Sequence, residues 1–155
     1  MNKLLPKSLS RYLAVQSKYN LNLGSNRDQI IHNINSPNFS VFLDFDKKIK
    51  YKRFDKNFFH KIFDNLVDNN DEIEKLITKN LSGGWKIDRL PSVLSAILSV
   101  AISEILLCPK TSIKIIVSEY LKIAESFHKD DEIKFINAIL DNIHKELNIK
   151  CMKKK

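Results

Sequence analysis

The chain has 155 residues, of which 43% are hydrophobic, and its 26 Lys and Arg against 18 Asp and Glu give a formal charge of +8. This length fits one domain, or two small helical subdomains that share a core. With only 3 glycines and 4 prolines, the sequence lacks the turn residues of a many-stranded β protein, so the composition predicts an all-α fold. The basic surplus favours an anionic partner, nucleic acid or a lipid surface, although ordinary solubility explains it too.

The first predicted helix covers about residues 8–19 and carries basic side chains. At 100° per residue, Lys7, Arg11 and Lys18 are expected to project together from the side opposite the apolar residues. Such a basic stripe is either a solvated helix face or, because Tyr19 lies beside it, a binding face.

Residues 23–57 give a weaker pattern. A helix is expected to restart near Arg27, residues 36–38 predict a turn, and residues 41–45 fit either a short helix or a strand. A basic run with interleaved aromatic residues follows, and it is either exposed surface or a contact for single-stranded nucleic acid. The run consists of Lys47, Lys48, Lys50, Lys52 and Arg53, with Tyr51 and Phe54 between them.

Two helices are predicted between residues 55 and 81 by apolar residues at three- and four-residue spacing. Asp55 is the N-cap candidate of the first, which extends to about residue 69. The second covers about residues 71–81 and ends before Gly83 and Gly84, since glycine commonly follows the last turn of a helix.

The next helix begins near Pro91, stops before Pro109 and is apolar over most of its circumference, which predicts a central helix wrapped by the others. Two more helices follow, each with a capping candidate at its start: residues 111–127 with Thr111, and residues 130–149 with Asp130 or Asp131. We therefore expect about seven helices in one domain of residues 1–155. It consists of two packed helical halves, about residues 1–82 and 85–149, and a basic tail, residues 150–155.

The sequence has no phosphate-binding glycine loop and no HExxH or CxxC motif, so we predict no catalytic residue, metal or cofactor. Cys108 and Cys151 lack metal-binding spacing, and free thiols in a reducing cytoplasm are the simplest expectation. There is no signal-peptide pattern, and no apolar run approaches the ~18 residues that a membrane span needs. The sequence predicts a cytoplasmic, non-enzymatic protein.

Four groups of residues, taken in order and spacing, carry a resemblance. They are Arg11, Ala14, Val15, Gln16 and Tyr19; Trp85, Arg89, Leu90, Ile97, Leu98, Ala101 and Glu104; Glu119, Ala124 and Phe127; and Lys134, Phe135, Ile136, Asn137, Leu140 and Asp141. Together they resemble the NusB family of bacterial transcription antitermination factors. The resemblance covers about residues 7–19 and 85–143, while the segment between matches only in its helical character.

The resemblance implies an all-α fold that binds single-stranded boxA-type RNA from the leader of ribosomal RNA operons. It implies NusE, a ribosomal protein of the small subunit, as heterodimer partner, in a complex that helps RNA polymerase read through terminators. Homodimers are also possible, because family members differ in this respect. The implied RNA contacts come from the N-terminal segment, the first helix and the start of the last helix: Lys3, Lys7, Arg11, Lys18, Tyr19, Phe127, Lys134, Phe135 and Asn137.

The residues themselves support part of this set. Phe135 lies about 100° from the apolar stripe of its helix, so it is a candidate for stacking on an unpaired base, and Phe127 at the edge of the preceding helix is another. For both, partial burial between helices is the alternative. Asn137 either reads a base edge or caps local backbone.

Two other functions remain open. The family's arginine-rich start is reduced here to Lys3, Lys7 and Arg11, and the glycine of the last group is Ala138. These differences favour a protein-interaction module of the same fold without specific RNA binding. NusB-like domains also occur in ribosomal RNA cytosine methyltransferases, but this sequence has no glycine-rich cofactor segment, so we do not expect an independent methyltransferase.

Overall fold

The computed structural model describes residues 6–36, 41–44, 47–49, 54–81, 87–127 and 129–153. In these residues the chain forms seven α-helices, a short 3-10 helix and a two-stranded hairpin. The helices are α1 (Pro6–Asn22), α2 (Arg27–Ile34), α3 (Lys56–Asp68), α4 (Asn70–Lys79), α5 (Ser92–Leu106), α6 (Ile113–Glu125) and α7 (Asp130–Lys153). The 3-10 helix is Ile87–Arg89, and the strands are β1 (Val41–Asp44) and β2 (Lys47–Ile49). The predicted all-α class with about seven helices is confirmed.

Helix α5 lies at the centre of the fold, as predicted. It packs against α1, α3, α4, α6 and α7. Every residue from Ala96 to Ile105 is buried, because the helix is apolar nearly all round. One of its buried polar side chains, Ser103, donates a hydrogen bond to the carbonyl oxygen of Ile62 at 2.7 Å.

Helix α1 is a second buried helix, which the sequence did not indicate. It packs against α5, α3 and α6. Lys7 is exposed, but Arg11 and Lys18 are only 3% and 8% exposed. The predicted basic stripe of these three residues is therefore wrong. The physical reason is that α1 is covered on several sides, so the side opposite its leucines meets other helices instead of solvent.

The helix starts show which capping predictions hold. The Asp55 carboxylate accepts a hydrogen bond from the backbone N–H of Phe58 at 2.9 Å, which confirms Asp55 as the N-cap of α3. Thr111 was expected to cap α6, but the cap is Ser112, whose hydroxyl accepts a bond from the N–H of Lys114. Asp130 or Asp131 is the expected cap of α7, but the helix starts at Asp130, so both aspartates lie within its first turn and the capping prediction is wrong. Acidic residues in that turn suit the positive end of the helix dipole.

The structure corrects two further expectations and decides between the two alternatives of a third. Helix α7 continues to Lys153, so residues 150–153 belong to the last helix instead of a tail. Residues 41–44 form a strand that pairs antiparallel with β2. Cys108, which follows α5 with a positive φ of 51°, is disulfide-bonded, so the expected free thiol is wrong there. The predicted RNA contact Lys3, the residue Trp85 and the basic residues of 50–53 lie outside the described residues.

In the part of the chain that the structure describes, no helix combines the length and apolar character needed to span a membrane.

Candidate nucleic-acid interface

A buried polar network fixes α1 against α5 and α6. The Nε and Nη2 atoms of Arg11 donate to the two carboxylate oxygens of Glu104, each at 2.8 Å. The Nη1 atom of Arg11 donates to Oε1 of Glu119 at 3.1 Å, and the Ser8 hydroxyl donates to the same oxygen at 2.5 Å. The Tyr120 hydroxyl donates to Oε1 of Glu104 at 2.7 Å. Arg11, Glu104 and Glu119 belong to three of the four groups of residues that resemble the NusB family. The network therefore brings these three groups together.

The electrostatics of this network keep its charges in place. Burial acts to lower the pKa of Arg11, but the hydrogen bond and the negative charge of Glu104 outweigh it, and the pKa is raised. Burial raises the pKa of Tyr120 well above its usual value, and Glu104 adds to the shift. Arg11 therefore stays a cation and Tyr120 a neutral donor at physiological pH. The guanidinium is directed into the protein, so Arg11 holds α1 in position.

The start of α1 forms a cationic surface. Lys7 lies there with its Nζ atom 5.3 Å from the centroid of the Phe58 ring, and the Cζ atom of Arg11 is 5.0 Å from the same centroid. No carboxylate among the described residues forms an ion pair with Lys7. The first turn of α1 contains no acidic residue. A lysine at the positive end of a helix dipole is unfavourable until an anion approaches, so this surface suits a phosphate group.

Lys18 and Tyr19 lie elsewhere on the molecule. They follow Lys7 by eleven and twelve residues, which places them about 17 Å further along the helix. The Nζ atom of Lys18 donates to Oδ1 of Asn70 in α4 at 3.1 Å. Burial lowers the pKa of Lys18, partly opposed by Glu74. Tyr19 is half-buried against the core. The structure does not bring these two residues together with Lys7.

The junction of α6 and α7 holds the remaining predicted contacts. Phe127 is 43% exposed, and Lys134 and Asn137 are exposed one turn apart on α7. Phe135 is half-buried and packs against the core. Two lysines and three acidic residues in residues 127–137 give a local charge of −1. This junction therefore suits contacts with bases better than contacts with phosphates.

An open groove with a volume of about 400 Å³ lies between α6 and α7, and it is not among the features predicted from the sequence. Asn137 of α7 lines the groove together with the apolar Val117 and Leu121 and with Lys114 and Lys122, all four on α6. Both lysines are exposed. Their spacing of eight residues places them on one side of a helix, a signal that was readable in the sequence. The described residues contain no group of three or more His, Cys, Asp or Glu able to hold a metal ion.

The fold and this surface define an all-α protein with two buried helices, α1 and α5, joined by an ion pair, and with a cationic helix start at the surface. A sequence profile of the NusB family matches residues 8–145. The transcription antitermination protein NusB of Rickettsia massiliae is 32% identical over 149 residues, covering 94% of this chain and 95% of that protein. The protein of the same name from Caulobacter vibrioides is 28% identical, covering 94% and 96%. The chain belongs to the NusB family.

Solved structures show the same fold. T. maritima NusB matches with a TM-score of 0.72 at 22% identity, covering 93% of this chain and 94% of that one. A chain in the crystal structure of the antitermination factors NusB and NusE in complex with dsRNA matches with a TM-score of 0.68 at 22% identity, covering 90% and 96%.

Proposed function

We propose that this protein is an RNA-binding transcription antitermination factor. It binds single-stranded boxA-type RNA in the leader of ribosomal RNA operons together with NusE, and the complex promotes read-through by RNA polymerase. It acts in the cytoplasm as a binding module and not as an enzyme, with residues 1–155 forming one domain of two helical halves. Membership of the NusB family supports this function, as do relatives named for antitermination and a similar fold in a complex with NusE and RNA.

The observation that carries the proposal is the cationic start of α1. Lys7 is exposed at the positive end of the helix, without an ion-pair partner among the described residues, on a helix anchored by Arg11 and Glu104. A phosphate placed there interacts with both the ammonium group and the helix dipole. Lys3, four residues earlier in the chain, is proposed to add a second phosphate contact.

Base contacts are assigned to other residues. Phe127 offers an exposed ring for stacking, and Lys134 and Asn137 offer polar groups on α7. Phe135 and Tyr19 are half-buried, and we assign them further contacts with bases. Arg11 and Lys18 are assigned indirect roles, because both are buried and bonded within the protein.

A titration of fluorescently labelled RNA tests the function. A boxA-type RNA and a scrambled RNA of equal length are compared by fluorescence anisotropy, with and without NusE, at two salt concentrations. We expect tighter binding of the boxA-type RNA, strengthened by NusE and weakened by salt as phosphate contacts are screened. Equal, weak binding of both RNAs that NusE leaves unchanged would contradict the proposal.

The second candidate function is a protein-interaction module of the NusB fold without specific RNA binding. The negative charge at the α6–α7 junction and the inward orientation of Arg11 favour it. Analytical ultracentrifugation of the protein alone and with NusE distinguishes the two candidates when combined with the RNA titration. A homodimer, or a NusE complex without discrimination between the RNAs, would support the second candidate.

A further inference from the structure

Phe58, in the first turn of α3, contacts both basic residues at the start of α1. Its ring centroid is 5.3 Å from the Lys7 ammonium nitrogen and 5.0 Å from the Arg11 guanidinium carbon. The ring is half-buried and packs against the core. It therefore presents an aromatic surface at the boundary between the core and the cationic surface of Lys7.

Two hydrogen bonds fix the start of α3 relative to the start of α1, and a third, within α3, holds Phe58 to its N-cap Asp55. The N–H of Phe58 is held by the Asp55 carboxylate at 2.9 Å. The N–H of Asp55 donates to the carbonyl oxygen of Pro6 at 3.4 Å. The hydroxyl of Ser10 donates to the carbonyl oxygen of Asp55 at 2.8 Å. The position of the ring relative to Lys7 thus follows from the backbone of both helices.

The charges explain why the ring acts on Lys7. Lys7 and Arg11 are four residues apart on one helix and would repel each other. Glu104 and Glu119 compensate the charge of Arg11, whereas Lys7 has no such carboxylate among the described residues. The face of an aromatic ring carries partial negative charge and attracts an ammonium group. This attraction restricts a side chain that is otherwise free to rotate, and it does so before a ligand arrives.

We propose that Phe58 is a positioning residue for RNA binding, because its ring holds the Lys7 ammonium at the start of α1, where an RNA phosphate approaches. This role rests on the proposed RNA-binding function. It assigns to Phe58 a contribution to affinity that operates only through Lys7.

A double-mutant cycle with Phe58→Leu and Lys7→Met tests the role, with the boxA-type RNA as probe at a temperature well below unfolding. An exposed cation–π contact corresponds to a loss of about two- to five-fold in affinity for Phe58→Leu. In the Lys7→Met background the same substitution should change affinity little. Phe58→Tyr keeps the ring and should bind as the wild-type protein does. An equal loss in both backgrounds, or no loss with Phe58→Leu alone, would overturn the role of Phe58.

NMR separates this role from a loss of folding and from a failure of the proposed function. The ring current of Phe58 should shift the Lys7 side-chain protons upfield, and Phe58→Leu should remove that shift. Phe63→Leu changes a fully buried ring on the same helix. It should lower stability without changing the Lys7 shift or the RNA affinity. Absence of the shift in the wild-type protein overturns the positioning role. A wild-type protein that shows the shift but binds neither RNA overturns the proposed function, and the positioning role with it.

Discussion

The guanidinium of Arg11 donates two parallel hydrogen bonds to the carboxylate of Glu104, each 2.8 Å long and spanning 93 residues of sequence. The two side chains are 4% and 1% exposed. A two-point contact between planar groups fixes both the distance and the rotation of α1 relative to α5. Because the rotation of α1 also determines where Lys7 emerges, the core ion pair and the candidate RNA surface are mechanically connected.

Replacement of Arg11 by leucine should destabilise the fold strongly. The substitution leaves the Glu104 carboxylate buried without its cation, and breaking a buried pair in this way costs about 3–5 kcal/mol. Urea denaturation followed by circular dichroism measures the change in unfolding free energy. The double variant Arg11→Leu/Glu104→Leu should recover much of the loss, since no unpaired charge remains from this pair.

Arg27→Leu is the matched control for that experiment. Arg27 pairs with Asp64 at 2.6 Å, but both side chains are 42% exposed. Exposed pairs contribute at most about 1 kcal/mol. Equal losses for Arg11→Leu and Arg27→Leu would show that the burial of the Arg11 pair is unimportant.

Tyr120 should make stability fall at alkaline pH. Its pKa is raised in the folded protein, first by burial and then by Glu104. Its contribution to stability is therefore complete below the unfolded pKa, about 10, and is lost as pH rises from there toward the folded pKa. Thermal unfolding between about pH 8 and about pH 11 should show a smaller loss for Tyr120→Phe than for the wild-type protein. Superimposable pH profiles would refute the assignment.

Lys7 and Lys18 should behave differently in RNA binding, although both were predicted as contacts. Lys7→Met removes an exposed charge, so it should weaken binding and reduce the slope of log affinity against log salt by about 1. Lys18→Met should leave both affinity and slope unchanged, because Lys18 is bonded to Asn70 inside the protein. Anisotropy titrations at several salt concentrations measure both quantities. A reduced slope for Lys18→Met would contradict the structural placement.

Lys18→Met should also stabilise the protein near neutral pH. Burial lowers the pKa of Lys18 below its ordinary 10.5. The charged amine therefore costs stability below the folded pKa, and the cost disappears as pH rises toward the unfolded pKa. Thermal unfolding should give a higher midpoint for the variant at pH 7 than for the wild-type protein, with the difference narrowing at high pH. A lower midpoint at pH 7 would mean that the bond to Asn70 outweighs the desolvation cost.

Substitution of Phe127 should weaken RNA binding, whereas substitution of Phe135 should lower the stability of the fold. Phe127 is 43% exposed, so Phe127→Ala should leave stability nearly unchanged and lose about 1–3 kcal/mol of RNA binding if the ring stacks on a base. Phe135 packs against the core, so Phe135→Ala should cost about 1 kcal/mol of stability, roughly half the contribution of a fully buried phenylalanine. Denaturation and anisotropy on the same preparations check both values, and unchanged RNA affinity for Phe127→Ala would remove Phe127 from the interface.

Helix positions were predictable because they depend on neighbours in sequence. The unbroken apolar pattern after Pro91 identified α5 as central, and Asp55 caps α3 through a bond to a residue three positions away. The capping prediction at Thr111 was one residue off, since Thr111 and Ser112 both carry a suitable hydroxyl. The basic stripe of α1 was wrong because periodicity gives the direction of a side chain and not what lies opposite it.

The helical class, the central place of α5 and the resemblance to the NusB family are all readable from the amino-acid sequence. All three depend on the spacing of apolar residues and short groups along the chain. That Arg11 faces Glu104 and Glu119 while Lys7 faces solvent is visible only once the helices are packed. Both are basic residues on the same helix, but α5 and α6 cover Arg11 and leave Lys7 exposed. Helix α1 packs against α5 and α6 through contacts between residues about 100 positions apart in the sequence. This packing makes Arg11 part of the core and leaves Lys7 available for an anion.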